Sequence, residues 1–333
     1  MSRKINRDHA KRQQRPMMED EVISEKLEAL LIPALASQKK YCRTLGLRDR
    51  ILTLPLMVAA VLTMLWRDVA GVRELTRILA REGFLWCGRS TVSQQALSKR
   101  FLTFPAELLE KVFQEILPLL TLKWHERNRR PLPESVQFTL TKFEKIWIAD
   151  GSTLEALFKK LKSLEDIPQG QLAGKIGVVI DLMTRLPVEI WFKENPKTND
   201  TKFEENLLEL VTKKTFKVLE VFTEGYSLRD RKIRLGSGTK TTPYITLRLI
   251  EVKSEKVWHS YLTSVLDPHI LPPYVVADLY RKRWRIEEAF NIVKRLLGLS
   301  YLWVGSINGV KLQIWGTWLF YAILIDLGDA VES

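Results

Sequence analysis

Cysteine is nearly absent: Cys42 and Cys87 are the only two in 333 residues. That excludes a disulfide scaffold and a Cys-rich zinc site. Histidine is almost as scarce. His9, His125, His259 and His269 stand far apart, and the sequence contains neither an HExxH nor a CxxC run. Metal chemistry therefore falls to carboxylates, if it is present at all. Long apolar runs are missing too, since a bilayer span needs roughly twenty consecutive apolar residues. Residues 51–66 are interrupted by Thr53, Pro55 and Thr63, and residues 314–325 end at Asp326. Both read as buried helices, and no membrane partner is expected. The first sixteen residues carry six Lys or Arg without an apolar segment, so no secretion signal is expected.

Acidic residues are in deficit. Thirty-nine Asp and Glu face fifty-two Lys and Arg, a formal net charge of +13. Such a surplus points to a polyanionic partner. Hydrophobic residues make up 46% of the chain, enough to build cores for about two domains. Residues 1–19 read as a basic tail, disordered unless a polyanion orders it. Residues 20–130 show apolar residues at helical spacings of three and four, which predicts a helical N-terminal domain. Within it, residues 72–101 read as helix, short Gly-containing turn and helix, with Ser90 or Thr91 as the cap of the second helix. Two readings stay open for that segment: a helix-turn-helix that contacts DNA, or an ordinary hairpin with a solvated basic face.

The polar, Pro-containing stretch 127–133 is the expected domain boundary. After it the pattern changes to strands: residues 146–150, then 175–181, then 186–192, the last two as a hairpin. Asn199-Asp200-Thr201 is expected to cap a helix running to about Lys214. Residues 216–265 alternate as a β insertion, a long helix follows Pro273, and a C-terminal helix covers 301–333.

The most informative stretch is 280–294. At about 100° per residue, Tyr280, Arg283, Glu287 and Lys294 share one polar arc. Leu279, Ile286, Phe290, Val293 and Leu297 line a neighbouring arc that should pack on a core. Trp284 lies between the two arcs and is expected to pack. One reading of the polar arc is simple ion pairing, because Arg283 and Glu287 stand at i,i+4. The other is a metal-binding Glu flanked by cations that grip phosphate.

The spacing Tyr280, two residues, Arg283, three residues, Glu287, six residues, Lys294 resembles the signature of the insertion sequence 4 family of DDE transposases. Asp150-Gly151-Ser152-Thr153 after an apolar strand resembles that family's first catalytic aspartate. The strand pair through Leu186-Pro187, the helix start near Asp200 and the region from Gly298 also resemble it. The resemblance covers about residues 20–330. It implies a ribonuclease H-like mixed sheet (α/β, residues 140–300) with a β insertion and flanking helices. It also implies strand cleavage and transfer at transposon-end DNA, using two Mg²⁺ or Mn²⁺ ions. On this resemblance Asp150 and Glu287 are catalytic metal ligands, and Tyr280, Arg283 and Lys294 hold DNA. The implied partners are terminal inverted repeats and target DNA, with a homo-oligomer admitted, in a prokaryotic, nucleoid-associated cytoplasmic setting.

One part of the family pattern is missing. A second aspartate should follow the helix that begins near Asp200, on a strand reading apolar run, Asp, Arg, Gly, aromatic. Here the chain passes from Thr215 directly into Phe216-Lys217-Val218. An internal deletion near 215–218 is the expected explanation, removing one core strand and the second ligand, and the C-terminal helix is expected to be truncated. This copy is therefore expected to be catalytically inactive. The alternative is a non-catalytic remnant that binds ends or interferes with intact transposase. Asp181 and Asp200 read as structural, and Asp230 as a surface ion-pair former. Glu220 or Glu224 would become a substitute ligand only if residues 216–222 replaced the lost strand.

Overall fold

The computed structural model describes residues 20–47, 50–69, 71–127, 131–153, 175–193, 216–236, 238, 244–299 and 306–332. In chain order they form α1 (Asp20–Ser37), α2 (Lys39–Thr44), α3 (Leu54–Trp66), α4 (Val72–Arg81), α5 (Gln94–Thr103), α6 (Ala106–Glu126) and α7 (Glu134–Leu140). Strands follow: β1 (Trp147–Thr153), β2 (Lys175–Asp181), β3 (Pro187–Lys193), β4 (Lys217–Glu224), β5 (Leu228–Leu235), β6 (Ile245–Ser254) and β7 (Val257–Thr263). The chain closes with α8 (Pro273–Arg281), α9 (Trp284–Asn291), a π-helical turn (Ile292–Leu296) and α10 (Ile307–Glu332). This mixture of helix and sheet agrees with the α/β expectation. The expected helix from Asp200 and the Gly298–Tyr301 region beyond Leu299 lie outside the described residues.

The chain divides into two compact units, one up to His125 together with Val293–Gly328, the other comprising Glu126–Ile292 and the residues from Asp329. In the first unit, α3 is buried all round from Leu56 to Leu65, as expected of a helix that is apolar on every face. Thr53 caps it by accepting from the Leu56 amide at 3.4 Å. The C-terminal helix α10 belongs to this unit and closes its core. Trp66 meets Phe320 edge-on at 6.0 Å, and Phe113 packs on Trp315 at 5.6 Å. Gly316 is required there, because a Cβ would stand 2.3 Å from Val61 Cγ1. Although α10 is long and apolar enough to cross a membrane, most of its apolar stretch is buried inside the unit.

Asn308, near the start of α10, clamps the corner between α5 and α6. Its amide nitrogen donates to the Leu102 and Phe104 carbonyls at 3.1 and 2.7 Å, and its carbonyl accepts from the Ala106 amide at 3.2 Å. One side chain thus satisfies polar groups that two helix ends leave over. The connection between α4 and α5 differs from the expected short turn. It runs over residues 82–93 and contains a bridge between Phe84 and Cys87, whereas a helix-turn-helix uses a turn of ~3–4 residues. The cap of α5 is Ser93, which accepts from the Ala96 amide at 3.1 Å, rather than Ser90 or Thr91.

In the second unit β1, β2 and β3 form an antiparallel sheet in that order. Ile176, Val178 and Ile180 are buried at every second position of β2, the alternation that fixes register. Gly177 leaves room for the Trp191 ring, which a Cβ would approach to 1.9 Å. The β2–β3 hairpin is tied by Asp181, whose Oδ1 accepts from the Met183 and Thr184 amides at 3.0 and 2.9 Å. This is the local bonding that makes Asp a turn residue.

Strands β4 to β7 form a separate antiparallel meander. Ile233, Leu235 and Leu249 are buried on one face. Ile250, on the other, packs with Leu271, Val275 and Val276 at the start of α8. Asp230 sits on that second face and is buried, contrary to the surface role expected of it. It accepts from Arg248 Nε and Nη2 at 2.7 and 2.6 Å, and Arg248 is equally buried. Arg248 Nη1 also donates to the Leu271 carbonyl at 2.7 Å. Asp230 is inside because β5–β6 register makes the two side chains diagonal neighbours on one face, where each neutralises the other.

Candidate functional site

Asp150 lies in the middle of β1 opposite Val178, so the strand continues past it rather than ending there. Glu287 lies in the first turn of α9. The two carboxylates come from elements far apart in the chain and meet at one guanidinium. Arg283 Nη1 donates to Asp150 Oδ2 at 2.7 Å and to Glu287 Oε1 at 3.5 Å. The side chains of Asp150, Arg283 and Glu287 are 28, 33 and 39% exposed, so the cluster is sheltered yet open to solvent.

Arg283 reaches both because the expected continuous helix is interrupted. Arg283 N bonds to Tyr280 O, Arg285 N to Lys282 O and Ile286 N to Arg283 O. These three-residue bonds tighten the chain between α8 and α9 in the manner of a 3₁₀ turn. Beyond the interruption the apolar arc holds, with Ile286, Phe290 and Val293 all buried. Trp284 does not pack as expected. It stands at the first residue of α9, just after the tightened turn, and is 67% exposed. Lys294 falls in the π-helical turn and belongs to the other unit. The 100° count that grouped it with Glu287 therefore does not carry through.

Beside Arg283 a groove of about 540 Å³ opens between β6–β7 and the α8–α9 turn. Trp258, His259, Tyr261, Tyr280, Arg281 and Trp284 are among its walls. Tyr261 and Tyr280 meet edge to face at 5.2 Å, the Arg283 guanidinium stands 5.8 Å from the Tyr280 ring, and Arg229 lies 4.3 Å over Trp258. Aromatic faces interleaved with guanidinium groups match the stacking and charge that unpaired nucleotides require. Trp258 and Tyr261 escape a motif-based reading. The available signal was two aromatic residues close together on a β7 segment rich in polar residues.

The donor set is restricted to oxygen. Among the described residues no third Asp, Glu, His or Cys joins Asp150 and Glu287 to make a group of three. Two carboxylates still fit a single Mg²⁺, which commonly takes one or two carboxylates, waters and substrate phosphate. The potential substitutes lie elsewhere. β4 pairs with β5 in the meander instead of filling a place beside β1. Glu224 is held by Arg231 and Arg229 and Glu220 by Lys232, and hydrogen bonding from Arg231 keeps the Glu224 carboxyl below its ordinary range.

Comparison with known proteins gives this arrangement its family. The model of the Transposase DDE domain matches residues 142–323, more than half of the chain and inclusive of Asp150, Arg283 and Glu287. The chain belongs to the transposase DDE domain family. It also aligns with y4zB of Sinorhizobium fredii (strain NBRC 101917 / NGR234), a protein whose name places it among transposases, at 28% identity over 135 residues. That alignment spans 40% of this chain and 35% of the relative's length. For a member of this family DNA is the implied partner, and DDE transposases generally use divalent metal ions.

Proposed function

We propose that this DDE-domain chain is a DNA transposase of the insertion sequence 4 type that binds transposon ends but does not cleave them. The observation that carries the reading is the convergence of Asp150 and Glu287 on Arg283, across 133 residues of sequence between Asp150 and Arg283. In this reading Asp150 and Glu287 hold a divalent ion, Mg²⁺ or Mn²⁺. When bound, such an ion polarises a phosphoryl oxygen and lowers the pKa of its water. Arg283 and Lys294 hold DNA phosphate, Arg as a two-pronged donor and Lys as a point charge. Tyr280 adds a hydroxyl at the groove wall.

Loss of cleavage follows from the ligand count. An in-line displacement with two ions needs carboxylates that bridge and flank them, and the segment that would bring a second aspartate is absent from the sequence. Binding survives because the +13 charge gives affinity through phosphate neutralisation. In cells the chain would sit with DNA in a prokaryotic cytoplasm, occupying ends or pairing with intact transposase.

The test uses a duplex carrying the matched transposon end, taken from the inverted repeats around the gene. Salt-sensitive binding with no nicking in Mg²⁺ or Mn²⁺ is expected. Inserting an apolar strand ending in Asp-Arg-Gly-Phe near residue 216 should restore nicking. Cleavage by the unaltered chain sinks the inactive reading, and binding that ignores salt sinks the DNA assignment.

A further inference from the structure

We propose that Arg283 is a built-in cation that competes with the metal ion for Asp150 and Glu287. The proposal rests on the reading above that these two carboxylates are the metal ligands. A single nitrogen, Nη1, lies 2.7 Å from Asp150 Oδ2 and 3.5 Å from Glu287 Oε1. It therefore occupies the space between the two oxygens that a shared ion would take. Its positive charge already supplies the compensation that two neighbouring carboxylates require, and an ion entering the site must displace it.

Arg283 also has somewhere to go. It is one third exposed and itself lines the groove, beside the Tyr280 ring, where a displaced guanidinium keeps an aromatic face and faces solvent. The residue thus has an inner seat on the carboxylates and an outer seat in the groove. In the outer seat its donors are free for phosphate. Metal entry and phosphate capture therefore favour each other, and by linkage each strengthens the other equally.

The competition is measured with the full chain and Mn²⁺ alone, counting free ion by its electron paramagnetic resonance signal. Arg283→Gln should bind one Mn²⁺ on the order of tenfold more tightly than the parent, the effect of removing one cation at contact distance. Adding Asp150→Asn should abolish the gain. Thermal unfolding gives a second readout: Mn²⁺ should raise the melting temperature of Arg283→Gln more than that of the parent. Should Arg283→Gln fail to fold without metal, Arg283→Lys takes its place. Its side chain is shorter, so the ammonium falls short of the position that Nη1 holds between the two oxygens, and it too should bind Mn²⁺ more tightly than the parent. Equal Mn²⁺ affinity in parent and variant overturns the competition and leaves the metal assignment standing. A gain that survives Asp150→Asn overturns it as well, because the ion then sits elsewhere. Absence of Mn²⁺ binding in every variant overturns the metal assignment and the competition with it.

Discussion

Asp230→Ala should be among the most damaging single changes in the second unit. In the folded chain Arg248 gives three hydrogen bonds, two to Asp230 and one to the Leu271 carbonyl, and both side chains are inaccessible to solvent. Removing the carboxylate leaves a buried guanidinium whose remaining partners among the described residues, the Leu271 carbonyl and the Phe222 ring, are both neutral. Breaking a buried pair from one side costs about 3–5 kcal/mol. For a folding unit of this size that corresponds to a melting shift of roughly 6–20 °C. Replacing both partners with apolar groups, Asp230→Leu with Arg248→Met, removes the stranded charge. It still leaves the Leu271 carbonyl without its donor, so a residual loss of about 1–3 kcal/mol is expected. The double variant should therefore be more stable than the single one. Urea unfolding, with hydrogen exchange read on β5 and β6, separates this unit from the helical one. A loss below about 1 kcal/mol for Asp230→Ala, or a double variant as unstable as the single, would refute the argument.

Acid should loosen the contact between α7 and α8 through Asp278. The Ser135 hydroxyl holds its carboxyl below the ordinary range, against the opposing effect of burial and with help from Lys282. The folded pKa is therefore depressed: the contact is at full strength above the ordinary carboxylate range and is lost as pH falls through the lowered value. Exchange protection in α7 should drop over that window and become less pH-dependent in Asp278→Asn. Partial burial pushes the Cys87 thiol up to about 11, so alkylation at pH 8 should be slower in the folded chain than in denaturant; equal rates would contradict that shelter. Gly177→Ala should cost about 1–3 kcal/mol by overpacking against the Trp191 ring. Trp191→Ala in the same chain should make that change nearly neutral, as a double-mutant cycle would show.

Where local pattern determines structure, the sequence was readable. The β2 run alternates because one face of the sheet is buried, and Asp181 announces a turn because its side chain bonds its own backbone. The apolar arc Ile286, Phe290, Val293 was visible because packing preserves helical spacing after the tightened turn. The pairing of Asp230 with Arg248 was not visible, because cross-strand register is set by the meander as a whole. Trp284 was misread because two turn residues, Lys282 and Arg283, alter the angle at which α9 starts. Ser93 was hidden among three hydroxyl residues within four positions. The path of residues 82–93, including the Phe84–Cys87 bridge, decides which of them caps α5. Of the candidate site, Asp150, Arg283 and Glu287 were legible as individual residues. That the guanidinium would lie between the carboxylates was not, since it depends on where β1 stands beside α9.

The Asn308 clamp has a consequence for synthesis on the ribosome. Its partners Leu102, Phe104 and Ala106 emerge about two hundred residues before it does; Phe113 waits as long for Trp315, and Val61 and Trp66 wait longer still for Gly316 and Phe320. The early helices therefore carry uncovered apolar faces through most of translation, while the intervening strands pair with partners close behind them. Domains made first usually finish first; here the unit begun first waits for Val293–Gly328, made after the strands of the second unit. A nascent chain halted before α10 would hold a formed meander and an unclosed helical core, and that exposed core is where a chaperone or a protease would find it.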